Sequence, residues 1–129
     1  MLLSLSWKIQ FNKVVPFCSF DNTNQNAHEL LANLLLDDGG RKYLDTLPWL
    51  KEGVNRINAV KARNSSSLDW SRETWGAVIN ETSVKVYSMH DENFYKVYSL
   101  KLFGNALSAW IEFIQTQPNQ SAAPVITTV

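Results

Sequence analysis

The sequence predicts an α+β domain: one antiparallel sheet, built from an N-terminal strand and a three-strand meander, with three helices packed on it. Three observations lead there. Residues 5–12 alternate apolar and polar side chains, the period of a half-buried strand. Three segments repeat apolar residues at helical spacing, most regularly in 99–114. Between 74 and 98, three short β-rich runs are separated by polar turns of four residues. The chain has 129 residues, 45% hydrophobic and 19% charged, which is apolar enough for one packed core. The expected domain spans 1–118.

In chain order, Leu5, Trp7, Ile9 and Phe11 share one face of the first strand. Val14 to Phe20 is a second extended piece, bent at Pro16. Asp21-Asn-Thr-Asn24 reads as a turn. Asn26 with Glu29 has capping-box spacing, and Ala27, Leu30, Leu31, Leu34 and Leu35 then mark a helical face stopped by Gly39-Gly40. Arg41–Leu47 suits a short helical turn. Pro48 fits the first turn of a second helix, which carries Leu50, Val54, Ile57 and the stem of Lys61 on one face and runs to about Arg63. Gly53 should weaken it by about 1 kcal/mol relative to Ala.

Asn64-Ser-Ser-Ser67 and the residues up to the next strand read as a loop. Runs 75–79 and 84–89 flank the turn Asn80-Glu-Thr-Ser83 as a hairpin, and His90-Asp-Glu-Asn93 leads to a third strand at 94–98. Ser99 is a good N-cap for the last helix, whose stripe is Phe103, Ala106, Leu107, Trp110, Phe113 and Ile114. Residues 119–129 lack charge and periodicity and are expected to form a poorly ordered tail.

Composition excludes several function classes. Twelve Lys and Arg against twelve Asp and Glu give zero net charge, which removes a strongly basic nucleic-acid binder. One cysteine, Cys18, builds neither an intramolecular disulfide nor a Cys-rich zinc site. The opening residues lack the basic region and cleavage site of a signal peptide, and no segment approaches a membrane span, so a cytoplasmic location without membrane contact is expected.

Catalytic signatures are equally sparse. Gly39-Gly-Arg-Lys42 has neither phosphate-loop nor dinucleotide spacing. His90-Asp-Glu92 is too short a run to enclose a metal ion, so no metal and no cofactor are expected. Cys18 with His28 or His90 is the one conceivable nucleophile–base pair, but Phe17 and Phe20 beside it favour a buried thiol. Asp37-Asp38 and Asp91-Glu92 are neighbours along the chain, unlike the facing carboxylates of a hydrolase, and read as surface. Of five tryptophans, Trp7, Trp75 and Trp110 fall on inward faces, whereas Trp49 and Trp70 lie near element starts, where either could be an exposed binding anchor.

Local charge is uneven. Residues 41–63 hold six cations and two carboxylates, a net +4; residues 64–95 hold five carboxylates and two cations, a net −3. An acidic edge of this kind can steer a basic partner by complementary potential. The basic second helix is the rival surface.

Three blocks carry a family resemblance: Gly39-Gly-Arg-Lys-Tyr-Leu-Asp-Thr-Leu-Pro-Trp-Leu-Lys-Glu-Gly-Val-Asn-Arg-Ile57, Trp70-Ser-Arg-Glu-Thr-Trp-Gly-Ala77, and Ser99-Leu-Lys-Leu-Phe-Gly-Asn-Ala-Leu-Ser-Ala-Trp-Ile-Glu-Phe-Ile114. Together, over about residues 5–117, the chain resembles the CdiI-type immunity proteins of bacterial contact-dependent growth inhibition, in particular a ribonuclease-toxin immunity group. The blocks are packing patterns rather than catalytic motifs. The resemblance implies a non-enzymatic inhibitor that binds the C-terminal toxin domain of a CdiA-type protein and blocks its active site or a nearby surface; a monomer, or a weak dimer through an exposed sheet edge, is expected. Such toxins are commonly nucleases, with basic substrate grooves. The charge pattern then nominates Asp69, Glu73, Asp91 and Glu92 as the toxin-binding carboxylates, with Trp70 as anchor. An adaptor domain with another partner, a Cys-dependent enzyme and a small toxin are the alternatives. The last is disfavoured by the neutral charge and the scattered histidines.

Overall fold

The structure is a computed structural model and describes residues 1–21 and 29–129. A hairpin of β1 (Leu2–Gln10) and β2 (Lys13–Asp21) precedes helix α1 (Leu30–Leu36). A 3-10 turn at Tyr43–Thr46 then leads into α2 (Leu47–Lys61). Strands β3 (Ser67–Ser71), β4 (Trp75–Asn80), β5 (Ser83–Ser88) and β6 (Tyr95–Ser99) follow, then α3 (Leu100–Ile114) and β7 (Val125–Thr128).

The α+β class and the meander are as expected, but the strands form two antiparallel sheets rather than one. Their orders are β2-β1-β7 and β3-β4-β5-β6. The N-terminal strand therefore does not join the meander. Its nearest partner is local: Phe11 and Asn12, at φ 50° and 63°, make a two-residue turn that closes β1 on β2 in a register pairing Gln10 with Lys13. Turns with both central residues left-handed match the twist of a hairpin, and so short a loop loses little entropy on closing. Pro16 sits on β2, an edge strand, where its missing N–H leaves no ladder bond broken.

Leu3, Leu5 and Trp7 point into the core, with Trp7 stacked on Phe113 at 5.0 Å and edge-on to Tyr43 at 5.7 Å. The alternation misleads beyond that point. Ile9 and Phe11 continue the pattern, yet they are 63% and 89% exposed, because the hairpin runs past the helices that would cover them.

The expected tail is corrected too. Val125–Thr128 pairs with Leu2–Leu5 on the free side of β1. Four successive β-branched residues suit a strand, and β1 offers them an open row of backbone groups.

Helix α1 buries Leu30, Leu31, Ala32, Leu34 and Leu35. The expected cap Asn26 and the face residue Ala27 lie outside the described residues. The helix stops at Leu36, ahead of the diglycine. Asp37 and Asp38 accept the N–H groups of Gly39 (3.3 Å) and Gly40 (2.8 Å) on their side chains, and the glycines supply φ of 63° and 79°. Competing side-chain acceptors, not the glycines alone, end the helix.

In α2 the buried residues are Leu50, Gly53, Ile57 and Val60, so Val60 rather than Lys61 completes the face. Gly53 is a packing requirement rather than a flaw. A β-carbon there would lie 2.7 Å from the Trp70 ring and 3.1 Å from Leu107 Cδ2.

The loop expected before the hairpin is in part strand β3. Its outer edge is covered by α2: the carbonyls of Asp69 and Ser71 accept from Arg56 Nη1 and from Trp49 Nε1 (2.9 Å). Helix α3 is as read, with Ser99 Oγ accepting from Leu102 N at 3.0 Å and the expected stripe buried. Helices α1 and α3 each pack against both sheets, and α2 packs on α3, β3 and β4. The second sheet thus has one face on the helices and one left open.

Candidate functional site

The register of the second sheet decides which residues share its open face. Trp70, Ala77, Val86 and Lys96 align across the four strands on the helix side, and Leu68, Ile79, Val84 and Tyr98 form the next row. Opposite them, the open face carries the rows Ser71-Gly76-Tyr87-Tyr95 and Asp69-Val78-Lys85-Val97. Tyr95 and Val97 are about half exposed there. Tyr87 and Met89 lie across Gly76, where a β-carbon would meet their side chains at 2.9 Å. Lys85 Nζ sits 4.4 Å above the Tyr95 ring.

The β3–β4 and β5–β6 turns meet at one end of this sheet. Met89 N donates to Thr74 O at 2.8 Å, and the Trp75 and Phe94 rings are 6.1 Å apart. Glu73 belongs to the first turn, and Asp91 and Glu92 to the second; all three are exposed. The loop after α1 joins the same end. Asp37 Oδ2 accepts from Thr74 N (2.9 Å) and Trp75 N (3.1 Å), and Asp38 and Glu73 line one shallow depression with Gly39 and Gly40.

The cation of the first turn, Arg72, folds back over the Trp49 ring at 4.9 Å and donates to Asp38 O at 3.4 Å. Among the described residues, none of Asp37, Asp38, Asp69, Glu73, Asp91 and Glu92 is held in an ion pair. The carboxylates of the two turns form an acidic rim at one end of the open face, which exposes Met89, Tyr95 and Val97 around Lys85, while Phe94 packs on Trp75 on the helix side. That arrangement suits recognition of a basic surface, with aromatic contact at the centre and charge at the edge.

The nominated residues divide accordingly. Asp69 lies on the open face, Asp91 and Glu92 are exposed on the β5–β6 turn at its end, and Glu73 turns toward Gly39 in the depression beside α1. Trp70 is not at the surface: it is 1% exposed, stacked on Trp49 at 4.2 Å, edge-on to Phe103 at 6.0 Å, and donates Nε1–H to Trp49 O at 3.0 Å. The nomination of Trp70 as an exposed anchor is therefore corrected. In a strand, neighbours 69 and 70 must face opposite sides, so the carboxylate and the indole cannot both reach a partner. Trp75, expected in the core, is half-buried beside Phe94. Tyr95 and Val97 reach the open face, as alternation against buried Tyr98 in the run 94–98 marks them to do.

The other chemistry weighed from the sequence finds little support. Cys18 is 1% exposed, and its Sγ points at Ala32 O, 3.9 Å away. Burial pushes the thiol up to about 12, so it stays protonated at neutral pH and is a poor nucleophile. His90 lies exposed on the β5–β6 turn, and His28 falls outside the described residues. No group of three or more His, Cys, Asp or Glu among the described residues is placed to hold a metal ion. Nor is any helix among them long and apolar enough to cross a membrane.

One polar cluster is inside. The Glu29 carboxylate, 8% exposed, accepts from Lys96 Nζ at 3.1 and 3.2 Å and from Tyr98 OH, whose oxygen accepts from Leu31 N at 3.2 Å. Burial, then the bond to Glu29, raises the Tyr98 phenol far above its ordinary value. This cluster ties β6 to the start of α1 and leaves the phenol no free proton to offer a substrate. No protein family, curated protein or solved structure matches the chain.

Proposed function

We propose that this chain is an immunity protein that binds and neutralises the nuclease toxin domain of a contact-dependent growth inhibition system. One observation supports the reading: the open sheet face that exposes Met89, Tyr95 and Val97 also carries Asp69 and ends at a turn with exposed Asp91 and Glu92, with Glu73 on the adjoining turn. A nuclease groove is lined by cations that bind phosphates. An inhibitor that sets carboxylates in those places gains attraction at long range and blocks substrate at contact. The apolar patch supplies the desolvated centre that such an interface needs. The resemblance over residues 5–117 points the same way, and the proposed role needs no catalytic group on this chain.

The test is co-expression with a candidate toxin domain, which this reading expects to be encoded immediately upstream of this chain's gene. Cells making both proteins should survive induction, and Asp91→Lys with Glu92→Lys should weaken the purified complex at least tenfold while leaving the fold intact. Equal killing with and without this chain would refute the role. Unchanged affinity in the reversed variant would move the interface elsewhere.

A further inference from the structure

The two-residue turn of the β1–β2 hairpin needs a left-handed backbone, but not a large apolar side chain at its tip. Phe11 adopts φ 50°, a left-handed conformation that bulky side chains rarely take, and its ring is 89% exposed. Ile9, on the adjoining strand, is 63% exposed. Beside the tip, a cleft of about 1160 Å³ separates the hairpin from the segment 35–46. Leu44, on the far wall of that cleft, is 47% exposed.

Four cations stand back from this apolar apex. Lys8 and Lys13 come from the hairpin, and Arg41 and Lys42 from the facing segment. All four are exposed, and none is in an ion pair among the described residues. Lys8 Nζ rests 3.4 Å above the Phe17 ring, inside the cleft. Two carboxylates, Asp38 and Asp45, line the same cleft, and Asp38 Oδ1 is engaged by Gly40 N.

A protruding apolar apex with cations set behind it matches one kind of surface closely. At a bilayer, apolar side chains enter the boundary of the acyl region while Lys and Arg lie level with anionic headgroups. A rigid protein partner would need a receptor hollow shaped for Phe11; a bilayer needs none. We propose that the hairpin tip docks this chain peripherally on an anionic bilayer, with Phe11 and Ile9 inserted and Lys8, Lys13, Arg41 and Lys42 at the headgroups. The contact is superficial and involves no spanning segment. It uses residues distinct from the carboxylate surface, so it stands or falls independently of the immunity reading.

Co-sedimentation of the full chain with vesicles provides the test. Vesicles containing phosphatidylglycerol should carry the protein down, vesicles of phosphatidylcholine alone should not, and added salt should release it. Phe11→Ser, and separately Arg41→Ser with Lys42→Ser, should each weaken binding at least about fivefold. Lys51→Ser with Lys61→Ser, which removes two exposed cations of α2, should bind like the parent. All these positions are exposed, and an unchanged circular dichroism spectrum identifies folded variants. The proposal is overturned if the parent stays in the supernatant with anionic vesicles, or if Phe11→Ser sediments as the parent does. It is also overturned if Phe11→Ser alters only self-association or retention on an acidic polypeptide.

Discussion

Helix propensity and packing give opposite signs for one substitution, Gly53→Ala. Propensity alone says that Ala in the interior of α2 should stabilise the chain by about 1 kcal/mol. Packing says otherwise. The new methyl would stand 2.7 Å from two ring carbons of Trp70 and 3.1 Å from Leu107. Trp70 cannot swing aside, because Trp49 stacks on one of its faces, Phe103 meets it edge-on, and its N–H is bound to Trp49 O. Overpacking of a core site typically costs about 1–3 kcal/mol, and a 2.7 Å approach to a pinned ring belongs in the upper half of that range, about 2–3 kcal/mol. The net expectation is a loss of about 1–2 kcal/mol, or about 4–8 °C in Tm for a chain of this size. Gly104→Ala in α3 is the internal control, since its β-carbon would meet nothing closer than Ile57 Cδ1 at 3.9 Å. That variant should gain up to about 1 kcal/mol from propensity. Urea unfolding of both variants separates the two effects. A Gly53→Ala chain as stable as the parent, or more so, would refute the claim that α2 needs glycine to seat Trp70.

Three other expectations follow from single contacts. Ser99→Ala removes the side-chain acceptor for Leu102 N and should cost about 1 kcal/mol in urea unfolding. Asp37→Ala leaves Gly39 N, Thr74 N and Trp75 N without their carboxylate; it should cost about 1–3 kcal/mol and speed amide exchange at 74 and 75. Raising the pH should destabilise the fold. Cys18 rises from 9.0 to about 12 on folding, and Tyr98 rises from 10.0. Both groups bind their protons more tightly in the folded state. Their contribution is therefore complete below about pH 9 and declines above it by about 1.4 kcal/mol per pH unit for each titrating group. The urea midpoint should fall first between pH 9 and 10, a step that Cys18→Ala abolishes, and more steeply above 10.

The sequence disclosed those elements whose signals are local. The α3 stripe, its Ser99 cap and the turns of the meander all depend on residues within a few positions of each other, and each stands where it was expected. Features set by distant partners were less legible. Ser67–Ser71 is short and has Asp69 at its centre, so nothing local marks it as a strand; pairing with β4 and bonds from Arg56 and Trp49 make it one. Once β3 is missed, Asp69 and Trp70 look equally available to a partner. Val125–Thr128 had strand propensity but no visible mate until β1 proved to have a free edge. The carboxylates of the candidate surface were found through net charge. Their apolar neighbours were not, because judging exposure requires knowing which sheet face the helices cover.

The charge division also takes a different form in three dimensions. Along the chain it separates a basic helix from an acidic hairpin region. In the structure the divide falls inside one loop. Asp37 is bound to the backbone of the β3–β4 turn, at the carboxylate rim, while Arg41 and Lys42 line the cleft beside the hairpin tip. Asp38 borders both surfaces. Gly39 and Gly40, at φ 63° and 79°, turn the chain sharply enough for four residues to pass from one surface to the other. A side chain at either position would be held in a left-handed backbone, and at Gly39 its β-carbon would also lie 3.2 Å from Glu73 Cγ. The diglycine thus does more than stop a helix: it sets the two surfaces side by side. Gly39→Ala should accordingly disturb the Glu73 side of the carboxylate rim as well as stability. If partner affinity and vesicle binding in that variant both matched the parent, the loop would be only a connection between α1 and α2.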